Sequence, residues 1–123
     1  MSTLLSLEFD GLPPSVNSMY RTSKGTRRYK KSEVAEWQDE IAGLIRQAWG
    51  RTDHYTGEVE VHVLFTVNNN RRWDVDNRLK ALLDCLAHGG VIIDDTQISG
   101  ILALRKPGET SRTKIEVSEY EAR

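Results

Sequence analysis

Residues 58–67 constrain the fold more than any other part of this sequence. Valine or phenylalanine stands at every odd position from 59 to 67, and the positions between them are mostly polar. Because side chains alternate between the two faces of a β-strand, this pattern predicts a strand with one buried and one open face. The apolar face of a sheet built on such a strand must pack against a second layer.

Two helical patterns supply that layer. The first is expected to begin at a Ser32 cap and to end before Gly50, with this buried stripe: Val34, Trp37, Ile41, Leu44, Ile45 and Ala48. Trp37 is therefore interpreted as a core residue. The second helix, capped by Asp76 or Asn77, spaces its apolar residues at i, i+3, i+4 and i+7: Leu79, Leu82, Leu83 and Leu86. A Gly89–Gly90 pair ends it.

Three more strands are expected at 3–9, 98–105 and 112–119, the last two forming a hairpin over Pro107–Gly108. The predicted fold is α+β, with a small antiparallel or mixed sheet and two main helices packed on one face. A chain of 123 residues favours a single domain that spans 1–123.

Cys85 is the only cysteine, so no internal disulfide can form, and we expect the thiol to pack near Leu82 and Leu86. No cationic start precedes an apolar run, which argues against a secretion signal or a membrane span. The expected location is the cytoplasm.

Five aspartates lie between positions 74 and 95. Asp74 and Asp76 come at the start of the second helix, Asp84 lies within it, and Asp94–Asp95 follow its glycine stop. Helical spacing places Asp76, Lys80 and Asp84 on one flank, beside the apolar stripe. Capping, the helix dipole or a surface ion pair explains any one of these residues, but not the whole set. The set therefore indicates a functional site.

Clustered carboxylates beside a lysine are suited to binding a hard cation together with a phosphate group. Mg²⁺ binds through one or two carboxylates and keeps several waters, which leaves room for a substrate phosphate. Asp74, Asp76 and Asp95 suffice for one ion or for two, and Lys80 can stabilise negative charge in the transition state. No Cys/His pair has the spacing of zinc ligands, and the glycine and terminal glutamate of an EF-hand are missing.

The net charge is −1, but the charges are segregated along the chain. Residues 21–31 carry six basic side chains and no acid, and two arginines precede Asp74. These segments can face phosphates. A solvated charged loop is the usual explanation of a single run, but two further basic clusters, at 71–72 and 105–106, make the two explanations equal here. Trp73 either stacks on an exposed base or packs beside Phe65. The candidate DNA-binding residues are Arg21, Lys24, Arg27, Arg28, Lys30, Lys31, Arg71, Arg72 and Trp73.

The acidic region resembles the RusA-type Holliday-junction resolvases. Residues 73–84 read W-D-V-D-N-R-L-K-A-L-L-D and residues 93–98 read I-D-D-T-Q-I. These fit the family pattern D-x-D-N-x-x-K-x-x-x-D followed by D-D-x-Q-[IV]. The stretch L-P-P-S-V-N-S-M-Y-R at 12–21 is similar to the family's P-P-S-x-N-x-x-[WY]-R. The resemblance thus covers nearly the whole chain.

The resemblance implies a small phage or prophage endonuclease that cuts four-way DNA junctions in recombination and repair. It implies Asp74, Asp76 and Asp95 as metal-binding catalytic carboxylates and Lys80 as the essential amine. Mg²⁺ is the expected cofactor, Mn²⁺ is expected to substitute for it, and no organic cofactor is expected. Asp94 either binds metal or supports Asp95, and Asp84 is expected to orient Lys80 or a metal-bound water.

The resemblance also implies a homodimer. One set of acids per chain gives one cut per protomer, and a two-fold dimer matches the symmetry of the junction. Two other functions remain open at this point. One is a non-catalytic module that binds branched DNA, which the intact acids and Lys80 disfavour. The other is a phosphotransferase of the D-x-D-x-[TV] kind, which requires Thr or Val at position 78, where this chain has arginine.

Overall fold

The computed structural model describes residues 2–14, 26–68 and 75–122, with the backbone alone at 26–32, 76 and 77. In chain order, the elements are β1 (Thr3–Asp10), α1 (Thr26–Trp49), β2 (Val59–Asn68), α2 (Val75–His88), a 3₁₀ turn (Asp95–Gln97), β3 (Ile98–Gly108) and β4 (Arg112–Glu119). Within the described residues, four strands form one mixed sheet. The predicted α+β fold is thereby confirmed.

The strand order is β1-β4-β2-β3, so the predicted hairpin is wrong. Both of its strands exist, but β2 lies between them, antiparallel to β4 and parallel to β3. Burial explains the order. Ile115 and Val117 of β4 are fully buried, which suits a strand with neighbours on both sides. In contrast, β3 is largely exposed and contains Pro107, a residue suited to an edge strand.

Parallel pairing of β2 and β3 requires a crossover connection, and α2 provides it. The pairing contains one irregularity near its start. Val59 pairs with Ile98, whereas Glu60 pairs with Gly100, so Ser99 is an extra residue on β3. Beyond this bulge the pairs continue without a shift to the end of both strands.

The core lies between one face of the sheet and the two helices. All odd-numbered residues of β2 are buried, as their alternation predicts. They share one hydrophobic cluster with Ile45 of α1 and with Leu82 and Leu86 of α2. Cys85 is also fully buried there, as expected, and burial raises the pKa of its thiol to about 12. This thiol is therefore a packing group.

One even-numbered residue of β2 departs from the alternation. Glu60 is buried, and its Oε2 lies 2.6 Å from Nε2 of the half-exposed His62. The side chain of Glu60 lies over Gly100 of β3, where a Cβ atom would come within 3.1 Å of its Oε1. The absence of a side chain at Gly100 gives this carboxylate its space.

Both helices begin earlier than predicted. α1 starts at Thr26 and not at a Ser32 cap, because residues 26–31 contain no helix breaker and several good helix formers. Its end is as predicted, with Gly50 at φ +64°. α2 starts at Val75, which places both proposed caps, Asp76 and Asn77, inside the first turn.

The buried stripe of α1 also differs at its end. Ala48 is exposed and Trp49 is buried in its place, because the helical period carries the next apolar position toward the core. Trp37 packs against the core, as predicted, and meets Phe9 edge to face with ring centroids 6.2 Å apart. Within the described ranges, no helix is long and apolar enough to cross a membrane.

Candidate active site

A cleft of about 240 Å³ opens between α2, the 3₁₀ turn and β3. Its polar groups are Lys80, Asp84 and Asp95, and the rest of its wall is apolar. The apolar lining residues are Leu79, Leu83, Ile98 and Ile101. Two carboxylates and one ammonium group therefore border a cavity whose described walls offer no other charge.

The helical period of α2 explains why Lys80 and Asp84 share this cleft. They lie one turn apart on an exposed flank, while Leu82 and Leu86 point into the core. Asp76 lies one turn before Lys80 on the same helix, where the structure gives its backbone position. One flank of α2 thus bears Asp76, Lys80 and Asp84 in succession.

The other candidate residues divide into two groups. Asp74 and these basic or aromatic candidates lie outside the described ranges: Arg21, Lys24, Arg71, Arg72 and Trp73. The remaining basic candidates fall in the first part of α1, where the backbone alone is described: Arg27, Arg28, Lys30 and Lys31. These four residues lie before the predicted helix start at Ser32 but belong to α1, and their binding to DNA stays a prediction.

The adjacent aspartates Asp94 and Asp95 have different environments. Asp94 is the N-cap of the 3₁₀ turn, and its Oδ1 accepts a hydrogen bond of 2.9 Å from the backbone N–H of Thr96. That bond is the main cause that lowers the pKa of Asp94. Asp95 is the first residue of the turn and borders the cleft. Asp94 therefore stabilises the turn that carries Asp95.

The electrostatics of Asp95 reflect crowding of negative charge. A hydrogen bond that its protonated carboxyl donates to Asp94, together with the charge of Asp94, raises the pKa of Asp95. The charge of Asp84 acts in the same direction, and the ammonium of Lys80 opposes it. Lys80 and Asp84 are thus close enough to Asp95 for their charges to influence it.

Gln97 is a residue whose role the sequence interpretation missed. Its Oε1 accepts hydrogen bonds from the backbone N–H of Ile93 at 2.7 Å and of Asp94 at 3.3 Å. Its Nε2 donates to the carbonyls of Tyr55 at 2.7 Å and Gly57 at 2.9 Å. One amide therefore ties the acidic turn to the segment before β2. The sequence does carry a signal, because Asp followed three residues later by Gln fits a capping box.

The fold and the cleft define a small α+β protein with an acidic, lysine-containing site, and the comparisons with known proteins specify its family. The sequence model of the family described as endodeoxyribonuclease RusA matches residues 10–118. This chain therefore belongs to the RusA endodeoxyribonuclease family.

Several curated relatives carry the name crossover junction endodeoxyribonuclease RusA. The protein of Enterobacteria phage HK97 is 33% identical over 114 residues, which cover 89% of this chain and 91% of the relative. That of Aquifex aeolicus is 28% identical over 102 residues, covering 83% and 80%. That of Escherichia coli K12 is 31% identical over 98 residues, covering 77% and 78%.

The hydrogen bonds of Gln97 generate a prediction about the acidic turn. Gln97→Leu should lower the free energy of unfolding by about 1–3 kcal/mol, because two carbonyls and two N–H groups are left without this partner. Amide exchange at residues 93–97 should accelerate at the same time. The matched control is Ser99→Ala, which removes one exposed hydrogen bond to Glu58 and should leave both measurements nearly unchanged. Unaltered exchange at 93–97 in Gln97→Leu would show that the turn does not depend on this amide.

Proposed function

We propose that this protein is a structure-selective endodeoxyribonuclease that resolves four-way (Holliday) DNA junctions by paired, symmetric phosphodiester cleavage in recombination and repair. The observation that carries the proposal is the cleft bordered by Lys80, Asp84 and Asp95, in a chain of the RusA family. The names of the relatives give the class of substrate, a crossover junction in DNA. Such a substrate would place the protein in the cytoplasm.

The donors around the cleft suit a hard divalent cation. They are carboxylate oxygens, and no histidine or cysteine lines the described part of the cleft. Among the described side chains, no three potential ligands are grouped closely enough to hold a metal, but Asp74 and the side chain of Asp76 do not belong to that set. We propose that Asp74, Asp76 and Asp95 together bind Mg²⁺, with Mn²⁺ able to replace it. When bound, the ion supplies Lewis-acid polarisation of the phosphoryl group and an activated water.

The protein's own residues would bind and orient the scissile phosphate. Lys80 is exposed at the cleft, where its ammonium can bind a phosphate oxygen and stabilise the charge that develops during cleavage. Asp84 lies one turn further along and can hold that ammonium in position. Leu79 and Ile101 form part of the apolar wall of the cleft beside these charged groups.

The decisive experiment uses a four-way junction and a linear duplex of the same sequence. Each is incubated with the protein in Mg²⁺ or in chelator. We expect paired nicks at symmetric positions on the junction alone, and only in the presence of metal. Junction binding without any nick in Mg²⁺ or Mn²⁺ would instead identify a non-catalytic binding module.

The three proposed metal ligands give a prediction that separates binding from cutting. Asp74→Asn, Asp76→Asn and Asp95→Asn should each abolish cleavage, while junction affinity stays the same or rises, because each change removes negative charge from a surface that faces a polyanion. Gel-shift titration in chelator measures affinity, and strand-specific nicking measures cleavage. Asp53→Asn makes the same charge change on an exposed side chain and should cut normally. Cleavage at the wild-type rate by any of the three would refute the metal-binding role of that residue.

The basic residues in α1 give a prediction about salt dependence. Replacing Arg27, Arg28, Lys30 and Lys31 with alanine preserves helix propensity and removes four positive charges. Junction binding should weaken. In a plot of the logarithm of the binding constant against the logarithm of the salt concentration, the slope should become less steep by about 0.9 for each phosphate that the variant no longer neutralises. Arg51→Ala, at an exposed arginine over Trp49, is the control and should keep the wild-type slope. An unchanged slope in the quadruple variant would make this segment a solvated surface.

The proposal includes a two-fold homodimer, and the open face of the sheet is the surface we assign to it. Leu64 of β2 and the neighbouring Leu102 and Leu104 of β3 border one shallow depression on the face away from the helices. Leu102 and Leu104 remain 48% and 53% exposed on an edge strand. An apolar group of this kind on an edge strand requires cover.

The charges beside these leucines are self-complementary. Lys114 and Glu116 of β4 line the same depression, with Nζ and Oε1 3.2 Å apart. In an isologous pair, Lys114 of one copy can meet Glu116 of the other while the leucines pack together. A second copy of this chain therefore fits the surface in both polarity and charge.

Light scattering checks the dimer. The free protein should have about twice the 14.0 kDa chain mass at micromolar concentration. Leu102→Glu should reduce the mass to that of one chain, because each interface would acquire two desolvated carboxylates. Ile93→Glu places the same charge on a 64% exposed residue that does not line this depression, and it should remain dimeric. A wild-type protein that stays monomeric on the junction and still makes paired cuts would refute the dimer.

A further inference from the structure

Arg78 lies between two proposed functional residues of α2 but points elsewhere. It follows Asp76 by two positions and precedes Lys80 by two, which is about 200° around the helix axis from each. Its Nη1 donates a hydrogen bond of 2.7 Å to the carbonyl of Pro13, 65 positions earlier in the chain. The turn of α2 that carries Asp76 and Lys80 is therefore attached, on its opposite side, to the segment that follows β1.

The segment that accepts this bond is itself fixed to the sheet. Gly11 N–H donates to the carbonyl of Ser111 at 2.8 Å, and the hydroxyl of Thr113 donates to the carbonyl of Gly11 at 2.8 Å. Thr113 is fully buried in β4, and Pro13, two residues beyond Gly11, is fully buried as well. Arg78 thus reaches a carbonyl whose position the sheet determines.

The two ends of α2 are held in different ways. Its second half is anchored by the fully buried Leu82 and Leu86 and by a hydrogen bond from Arg46 Nη2 to the carbonyl of His88 at 3.0 Å. Near its start, the apolar residues Val75 and Leu79 are only half-buried. The bond from Arg78 therefore matters more for the placement of the first turn than the bond from Arg46 does for the last.

We propose that Arg78 is a positioning residue: by fixing the first turn of α2 to Pro13, it sets where Asp76 and Lys80 stand relative to Asp95. This inference rests on the proposed function, because it assigns Arg78 to the geometry of the same metal-binding acids.

The test compares Arg78→Met with Arg46→Met. Both variants remove an arginine that donates to a main-chain carbonyl, at opposite ends of the same helix. The free protein is titrated with Mn²⁺ by electron paramagnetic resonance, and amide exchange is measured at residues 75–80. In Arg78→Met, Mn²⁺ affinity should fall about 10–100-fold and exchange at 75–80 should accelerate. Arg46→Met should leave both at the wild-type level.

Cleavage and binding assays complete the test. The Mg²⁺ concentration for half-maximal junction cleavage should rise in Arg78→Met in parallel with the decrease in Mn²⁺ affinity, while junction binding in chelator is unchanged. Arg78→Lys keeps the positive charge and a donor, so its Mn²⁺ affinity and amide exchange should lie between those of the wild type and Arg78→Met. This variant replaces Arg78→Met in the test if Arg78→Met fails to fold. Equal decreases in both methionine variants, or unchanged Mn²⁺ affinity in Arg78→Met, would overturn the inference. A wild-type protein that binds Mn²⁺ but cuts no junction would refute the proposed function. In that case the role of Arg78 would still be decided by the Mn²⁺ affinity and the amide exchange of Arg78→Met.

Discussion

The parallel pairing of β2 with β3 is the constraint on which the rest of the structure depends. A chain that leaves the end of one strand must travel back along the sheet before it can start a parallel neighbour. Here α2 makes that return, and the 3₁₀ turn completes it immediately before Ile98. The connection carries acids at both of its ends, and the cleft lies where its flank and its final turn approach the edge strand.

Local patterns in the sequence predicted most elements but not their order in the sheet. The alternation at 59–67 and the leucine spacing of α2 specify a half-buried strand and an amphipathic helix because each depends on neighbours in sequence. Strand order depends on partners far along the chain. Pro107–Gly108 looks like a hairpin turn, but β4, with its fully buried Ile115 and Val117, requires a strand on each side and lies between β1 and β2. That requirement is not visible in a window of ten residues.

The candidate site shows the same division. The spacing of Lys80 and Asp84 along a helix is a local property of the sequence. The structure places both residues at one cleft with Asp95. The roles of these residues stay predictions. The sequence, in which Asp94 and Asp95 are adjacent, does not reveal that the two aspartates have different environments. It arises because Asp94 uses its carboxylate to cap the turn and Gln97 fastens that turn to residues 55 and 57. An apparently doubled acid is therefore one structural group and one group that borders the cleft.

The extra residue Ser99 has a consequence for how this sequence can vary. After the bulge, Ile101 faces the cleft and Leu102 faces the opposite side of the sheet, so consecutive residues of one strand serve two different surfaces. Deleting a single residue here would exchange the two sets of side chains along the rest of β3. Edge strands usually tolerate changes in length. In β3, however, the register is constrained because the side chains on each of its two faces belong to a different surface. Homologous chains should therefore conserve the number of residues between Asp95 and Leu102 more strictly than their identities.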